Sequence, residues 1–169
     1  MSLISFFKDA GEKLFGSKEA EAATQQAQAD AANAQAQAAA AQANQGASNA
    51  IVAYIAAQNL SADGLSVAFD AAKGVVTVTG QAADQATKEK ILLCCGNVRG
   101  VDKVDDQMTV ATPADSSRYY TVVKGDTLSA ISKAMYANAN QYMKIFEANK
   151  PMLSHPDKIY PGQVLRIPA

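Results

Sequence analysis

The chain has no tryptophan, one histidine and two cysteines in 169 residues, and only 7% of it is aromatic. Each shortage excludes something. The cysteines, Cys94 and Cys95, are neighbours, so neither a disulfide framework nor a Cys-x-x-Cys metal or redox motif is available. His155 stands between Ser154 and Pro156 without a second histidine or a His-Glu-x-x-His spacing, and reads as a surface loop residue. No uninterrupted apolar run reaches the roughly 18 residues that a membrane-spanning helix needs. An excess of one charge is missing too. Lys plus Arg is 15 and Asp plus Glu is 16, a formal net of -1, which gives no bulk attraction to nucleic acid or anionic lipid. Residues 1–9 have no basic stretch ahead of their apolar side chains, so no signal peptide is expected and the expected compartment is the cytoplasm.

A catalytic constellation is likewise not found. Ser129 and Ser132 fall on an expected helix rather than on a nucleophile elbow. Asp105 and Asp106 are adjacent, so strand alternation sends them to opposite faces. No glycine-rich loop has phosphate-loop spacing. The expectation is a binding protein rather than an enzyme, monomeric, with no nucleic-acid partner.

What is present falls into five stretches. Residues 1–16 place Leu3, Ile4, Phe7, Leu14 and Phe15 near one stripe of a short amphipathic helix. Residues 17–47 are Ala/Gln-rich and of low complexity. These are strong helix formers that cannot build a core, so an exposed helical spacer ending near Gly46 is expected. In residues 48–112, Ser48 or Asn49 can cap a helix carrying Ile51, Val52, Tyr54 and Ile55. Leu65, Val67 and Phe69 alternate with small residues before Asp70–Gly74, and Val75–Gly80 alternates after it, as a hairpin does. A helix from about Asp84 to Cys95 presents Ile91, Leu92 and Cys95 inward, and Val104, Met108 and Val110 mark a third strand. Residues 113–117 form a linker. Residues 118–169 read as strand, helix, helix, strand, with Asp126 or Thr127 as a helix cap, Leu128, Ile131, Met135, Tyr142, Ile145 and Phe146 facing inward, and a turn at Pro161-Gly162 before Val164–Ile167. The fold class is α+β.

The helix, strand, strand, helix, strand order resembles the BON domain, with Gly74-Val-Val-Thr-Val-Thr-Gly80 and Asn97-Val-Arg-Gly-Val-Asp-Lys-Val104 carrying the likeness. Tyr119-Tyr-Thr-Val-Val-Lys-Gly-Asp-Thr-Leu-Ser-Ala-Ile-Ser132 and Lys158-Ile-Tyr-Pro-Gly-Gln-Val-Leu-Arg-Ile-Pro168 resemble a LysM module. That second resemblance implies binding of N-acetylglucosamine polymers such as peptidoglycan fragments in a shallow groove. Its positions here are Gly125, Asp126, Thr127, Leu128, Asn149, Pro151, Ile159 and Tyr160.

Taken whole, outside the Ala/Gln stretch, the chain is similar to the small potassium-binding proteins of the bacterial cytoplasm. Lys8-Asp-Ala-Gly-Glu-Lys-Leu14, Val104-Asp-Asp-Gln107 and Lys144-Ile-Phe-Glu-Ala-Asn-Lys-Pro-Met-Leu153 are among the lines that carry this. The resemblance implies a potassium ion as ligand, a sensing role, and main-chain oxygens of Phe7, Ala10, Gly96, Val98 and Val104 as the ligating atoms. The chemistry is consistent with the lack of a side-chain motif. Potassium is weakly polarising, and a ring of neutral carbonyls can replace its hydration shell, whereas clustered carboxylates suit smaller divalent ions. Carbonyls converge at helix C-termini and glycine loops. Glycan binding at the cell envelope is the alternative.

Overall fold

The computed structural model describes residues 17–169, and the amphipathic helix expected over residues 1–16 lies outside them. The chain divides after Ala43 into two units. Helix α1 (Ser17–Ala57) begins in the first unit and runs into the second without a break at Gly46. Residues 25–43 are exposed on every side, so this part of the helix rests on the propensity of Ala and Gln and on local pairs such as Gln26 Nε2 to Asp30 Oδ1 at 3.1 Å. A single interior glycine costs about 1 kcal/mol, too little to stop a helix flanked by strong formers. Ser48 is therefore an interior residue and not the expected cap. Its hydroxyl donates to the Asn44 carbonyl at 2.8 Å and accepts from the Phe69 amide at 2.9 Å.

The second unit contains two small modules. In the first, β1 (Asp63–Asp70) is antiparallel to β2 (Val75–Asp84), and β2 is parallel to β3 (Lys103–Thr112), with α2 (Gln85–Gly96) as the crossover. Alternation puts Val76 and Val78 of β2 and Val67 of β1 on the covered face, where they meet Ile51 and Ile55 of α1 and Ile91, Cys94 and Cys95 of α2. The pairing slips between Asp63 and Ser66. Gly80 sits opposite that slip at φ +132°, where a Cβ would lie 3.0 Å from the Leu65 Cα and 3.1 Å from the Asp63 carbonyl. Only glycine fits that bulge. Asp84 caps α2 by accepting from the Thr87 amide at 2.7 Å.

In the second module, β4 (Arg118–Thr121) pairs antiparallel with β5 (Val164–Ile167), and α3 (Leu128–Tyr136), a 3-10 turn (Ala139–Gln141) and α4 (Tyr142–Ala148) lie between them. Leu128, Ile131, Ile145, Phe146, Leu165 and Ile167 form its core. Of the two caps the sequence offers, Thr127 is the one used, accepting from the Ala130 amide, while the Asp126 carboxylate holds the Tyr120 hydroxyl and the Val123 amide, each at 2.9 Å.

Leu92 of α2 packs against the core of the first module as expected, and Leu93, which the periodicity left unassigned, is buried as well. The helix has two covered faces, because β5 of the second module packs against it as well as the β-sheet of its own.

Candidate functional site

The loop that leaves α2 is built by where its amides point. The Asn97 N–H donates to the Leu93 carbonyl at 3.0 Å, and the Val98 N–H donates to the Cys95 carbonyl at 3.3 Å. A trans peptide sets its C=O opposite its N–H, so the Gly96 and Asn97 carbonyls point out of the C-terminal end of the helix. The last turn of α2 holds no basic side chain. The negative end of the helix dipole therefore faces outward with carbonyl oxygens and no lysine or arginine from that turn, a setting that favours a cation.

Further along, the Val101 N–H closes a turn onto the Val98 carbonyl at 3.1 Å, and the amides of Asp102 and Lys103 both reach the Gly74 carbonyl, at 2.7 and 3.1 Å. Gly74 lies at φ +62° directly beneath Asp102, whose carboxylate a side chain there would strike. The hairpin turn thus anchors the far end of the loop.

Of the expected ligating residues, Gly96 and Val104 come together: a Cβ on Gly96 would stand 3.4 Å from the Val104 Cγ2. Both line a cavity of about 440 Å³ between the two modules, floored by Leu92, Leu93, Val101 and Val164. Val98 lines a different recess, of about 270 Å³, with Tyr54, Met152 and Tyr160. Phe7 and Ala10 lie outside the described residues. Among the described residues no group of three or more His, Cys, Asp or Glu is placed to hold a metal. The main-chain carbonyls of this loop suit a monovalent, weakly polarising cation, and the Asp102 carboxylate lies at the loop's far end.

The loop is also where the two modules are joined. Asn97 Oδ1 accepts from the Val164 amide at 2.8 Å, and Asn97 Nδ2 donates to the carbonyls of Val164 and Leu93, both at 3.1 Å. Asn149 does the same within the second module: its Oδ1 accepts from the Arg166 amide and its Nδ2 donates to the Arg166 carbonyl, each at 2.8 Å. Two asparagine amides therefore line one edge of β5 in the place of another strand.

A second tie between the modules is ionic. Glu89, 2% exposed on α2, accepts from Arg166 Nε at 2.5 Å and from Gln85 Nε2 and the Ser117 amide at 2.8 Å each. Burial opposes its charge, but the hydrogen bonds from Gln85, Arg166 and Ser117 together outweigh burial and hold the carboxyl below its ordinary value. Nothing local in the sequence singled out Glu89, Asn97 or Arg166. Glu89 sits in Lys88-Glu89-Lys90, which reads as a solvated face, and the partners of Asn97 and Glu89 lie 67 and 77 residues away.

Burial pushes the Cys94 thiol up to about 11 and that of Cys95 to about 12, the latter aided by its neighbour, so both stay protonated and inert. His155 is exposed in its loop, where its Nδ1 accepts from the Asp157 amide at 3.2 Å. The glycan candidates are divided. Gly125, Thr127, Pro151 and Tyr160 are at the surface. Asp126 and Ile159 are half-buried, and Leu128 and Asn149 are buried, their side chains committed to the core and to β5.

Comparison with known proteins agrees with this division into modules. Residues 44–112 match the BON domain family and residues 120–168 the LysM domain family. The chain is 49% identical over 168 residues to the potassium binding protein Kbp of Escherichia coli O6:H1 (strain CFT073), covering 99% of each. It is also 49% identical over 49 residues to an uncharacterized protein of Deinococcus radiodurans, a match that covers 29% of this chain and 19% of that one. With a helix end that offers carbonyls, a BON module that carries it and a LysM module tied to it by Asn97 and Glu89, the chain belongs to the family of the potassium binding protein Kbp.

Proposed function

We propose that this protein binds potassium through main-chain carbonyls and acts as a cytoplasmic potassium sensor whose BON and LysM domains tighten on binding. The observation that carries the reading is the C-terminus of α2, where outward-facing carbonyls meet the outer side of the same loop that clamps β5. The ligating oxygens in this reading are those of Gly96, Val98 and Val104, joined by Phe7 and Ala10 of the N-terminal segment. A relative of matching length named for potassium binding supports the choice of ion. No helix among the described residues is long and apolar enough to cross a membrane.

Binding only to the ordered form stabilises that form by mass action, by about 2.7 kcal/mol at a hundredfold excess over Kd. The test is thermal unfolding of the full chain titrated with KCl against NaCl at matched ionic strength. A saturable rise in Tm in potassium alone is expected, and Gly96→Pro, which removes an amide from the last turn of α2, is expected to abolish it. Equal responses to both salts reduce the effect to screening and reject the ion site. Peptidoglycan fragments then become the ligand to titrate, against the exposed Gly125, Thr127, Pro151 and Tyr160.

A further inference from the structure

We infer that Asn97 is the positioning residue that couples the potassium site to the LysM domain, an inference that rests on the potassium reading above. Its place in the chain is the reason. Asn97 lies between Gly96 and Val98, two of the proposed ligating residues, with its own backbone at φ −90°, ψ 5°. The Gly96 carbonyl shares a planar peptide unit with the Asn97 N–H, so an ion that holds this oxygen also fixes the plane from which the Asn97 side chain departs. An ion that gathers the Val98 oxygen fixes the chain on the other side.

Both N–H donors of the side chain so held are used, and its oxygen accepts from Val164. The side chain thus satisfies the N–H and C=O of Val164 and the Leu93 carbonyl at once. Hydrogen bonds of this kind weaken steeply with misalignment, so a modest turn of the Gly96–Asn97 peptide releases Val164. The contact is reciprocal by linkage: β5 holding Asn97 keeps the Gly96 carbonyl directed out of the helix, and so raises the affinity of the loop for its ion.

The other tie between the modules does not pass through this loop. Glu89, which holds Arg166, lies seven residues before Gly96, in the body of α2, and Asn149 holds Arg166 only within the LysM domain. Glu89 keeps β5 docked whether or not Asn97 is engaged. The response to potassium is accordingly local, concentrated at Val164.

The experiment is calorimetric titration of the full chain with KCl, together with amide hydrogen exchange in KCl and NaCl at matched ionic strength, on wild type, Asn97→Ala and Asn97→Asp. In wild type the Val164 amide is expected to exchange more slowly in potassium, with Arg166 alike in both salts. Asn97→Ala is expected to lose about tenfold in potassium affinity and to exchange Val164 at one rate in both salts. Asn97→Asp, which keeps an acceptor for the Val164 amide but cannot donate to Val164 or Leu93, is expected to fall between, and it serves if the alanine variant does not fold. A purely structural Asn97 would speed Val164 exchange equally in both salts and leave affinity unchanged. Wild-type affinity with a persistent potassium effect at Val164 in the variants overturns this inference and leaves the potassium reading intact. A wild-type chain with no potassium-selective binding overturns both.

Discussion

Residues 25–43 and residues 48–57 belong to one helix, yet the first stretch is exposed all round while the second buries Ser48, Ile51 and Ile55. The Ala/Gln stretch is helical because its residues lose little side-chain freedom there and bury nothing polar. The second stretch is helical because the sheet needs an apolar face to cover it. The difference teaches that a continuous helix can cross a unit boundary, and that secondary structure and domain membership have separate causes.

Three changes probe that comparison, and all six tyrosines help, since the first of them is Tyr54 and near-ultraviolet tyrosine dichroism thus reports the second unit alone. The largest effect is expected from Ile55→Ala. Ile55 is fully buried, and such a truncation costs about 2–5 kcal/mol. The tyrosine transition should move to much lower temperature while far-ultraviolet helicity from residues 25–43 is retained. A helix signal lost in the same step would show the two stretches melting as one.

Acid should act next. The Glu89 carboxyl is held below its ordinary value of 4.5, so the unfolded chain takes up a proton that the folded one resists. The stability this provides is present above pH 4.5 and is lost as pH falls through the lowered folded value. Tyrosine dichroism should decay over that range, and Glu89→Gln should flatten the dependence while lowering stability at neutral pH. A wild-type profile in the variant would place the acid sensitivity elsewhere. The smallest change is Gly46→Ala. Gly46 is exposed with nothing within 4 Å of a new Cβ, so a gain of about 1 kcal/mol in helix stability is expected in far-ultraviolet melting. If the tyrosine midpoint rises with it, the two stretches are coupled across that glycine.

The strands and short helices were legible because their signals are local. Alternation in Val75–Gly80, the Asp84 cap and the Pro161-Gly162 turn each act over a few residues, and each element lies where these signals put it. The start of the second module's neighbour was less legible, since Gly46 and Ser48 read as a stop and a cap while the helix simply continues. Leu93 was missed for a related reason: helical periodicity encodes a face for one partner, and α2 has two. The candidate site was the least legible part. Main-chain ligands place almost no demand on residue type, so Gly96, Val98 and Val104 came from resemblance, and Asn97 and Glu89 became visible only once residues distant in sequence were adjacent in space.

The pair of asparagines on β5 has a consequence for molecules in a crowd. β5 has β4 on one side, and its other edge would present the N–H and C=O groups of Val164 and Arg166 to any passing strand. An open edge of that kind is where foreign chains add on and sheets grow into aggregates. Asn97 and Asn149 occupy those four groups with side chains that end after one amide, so the strand is completed in a way that cannot be extended.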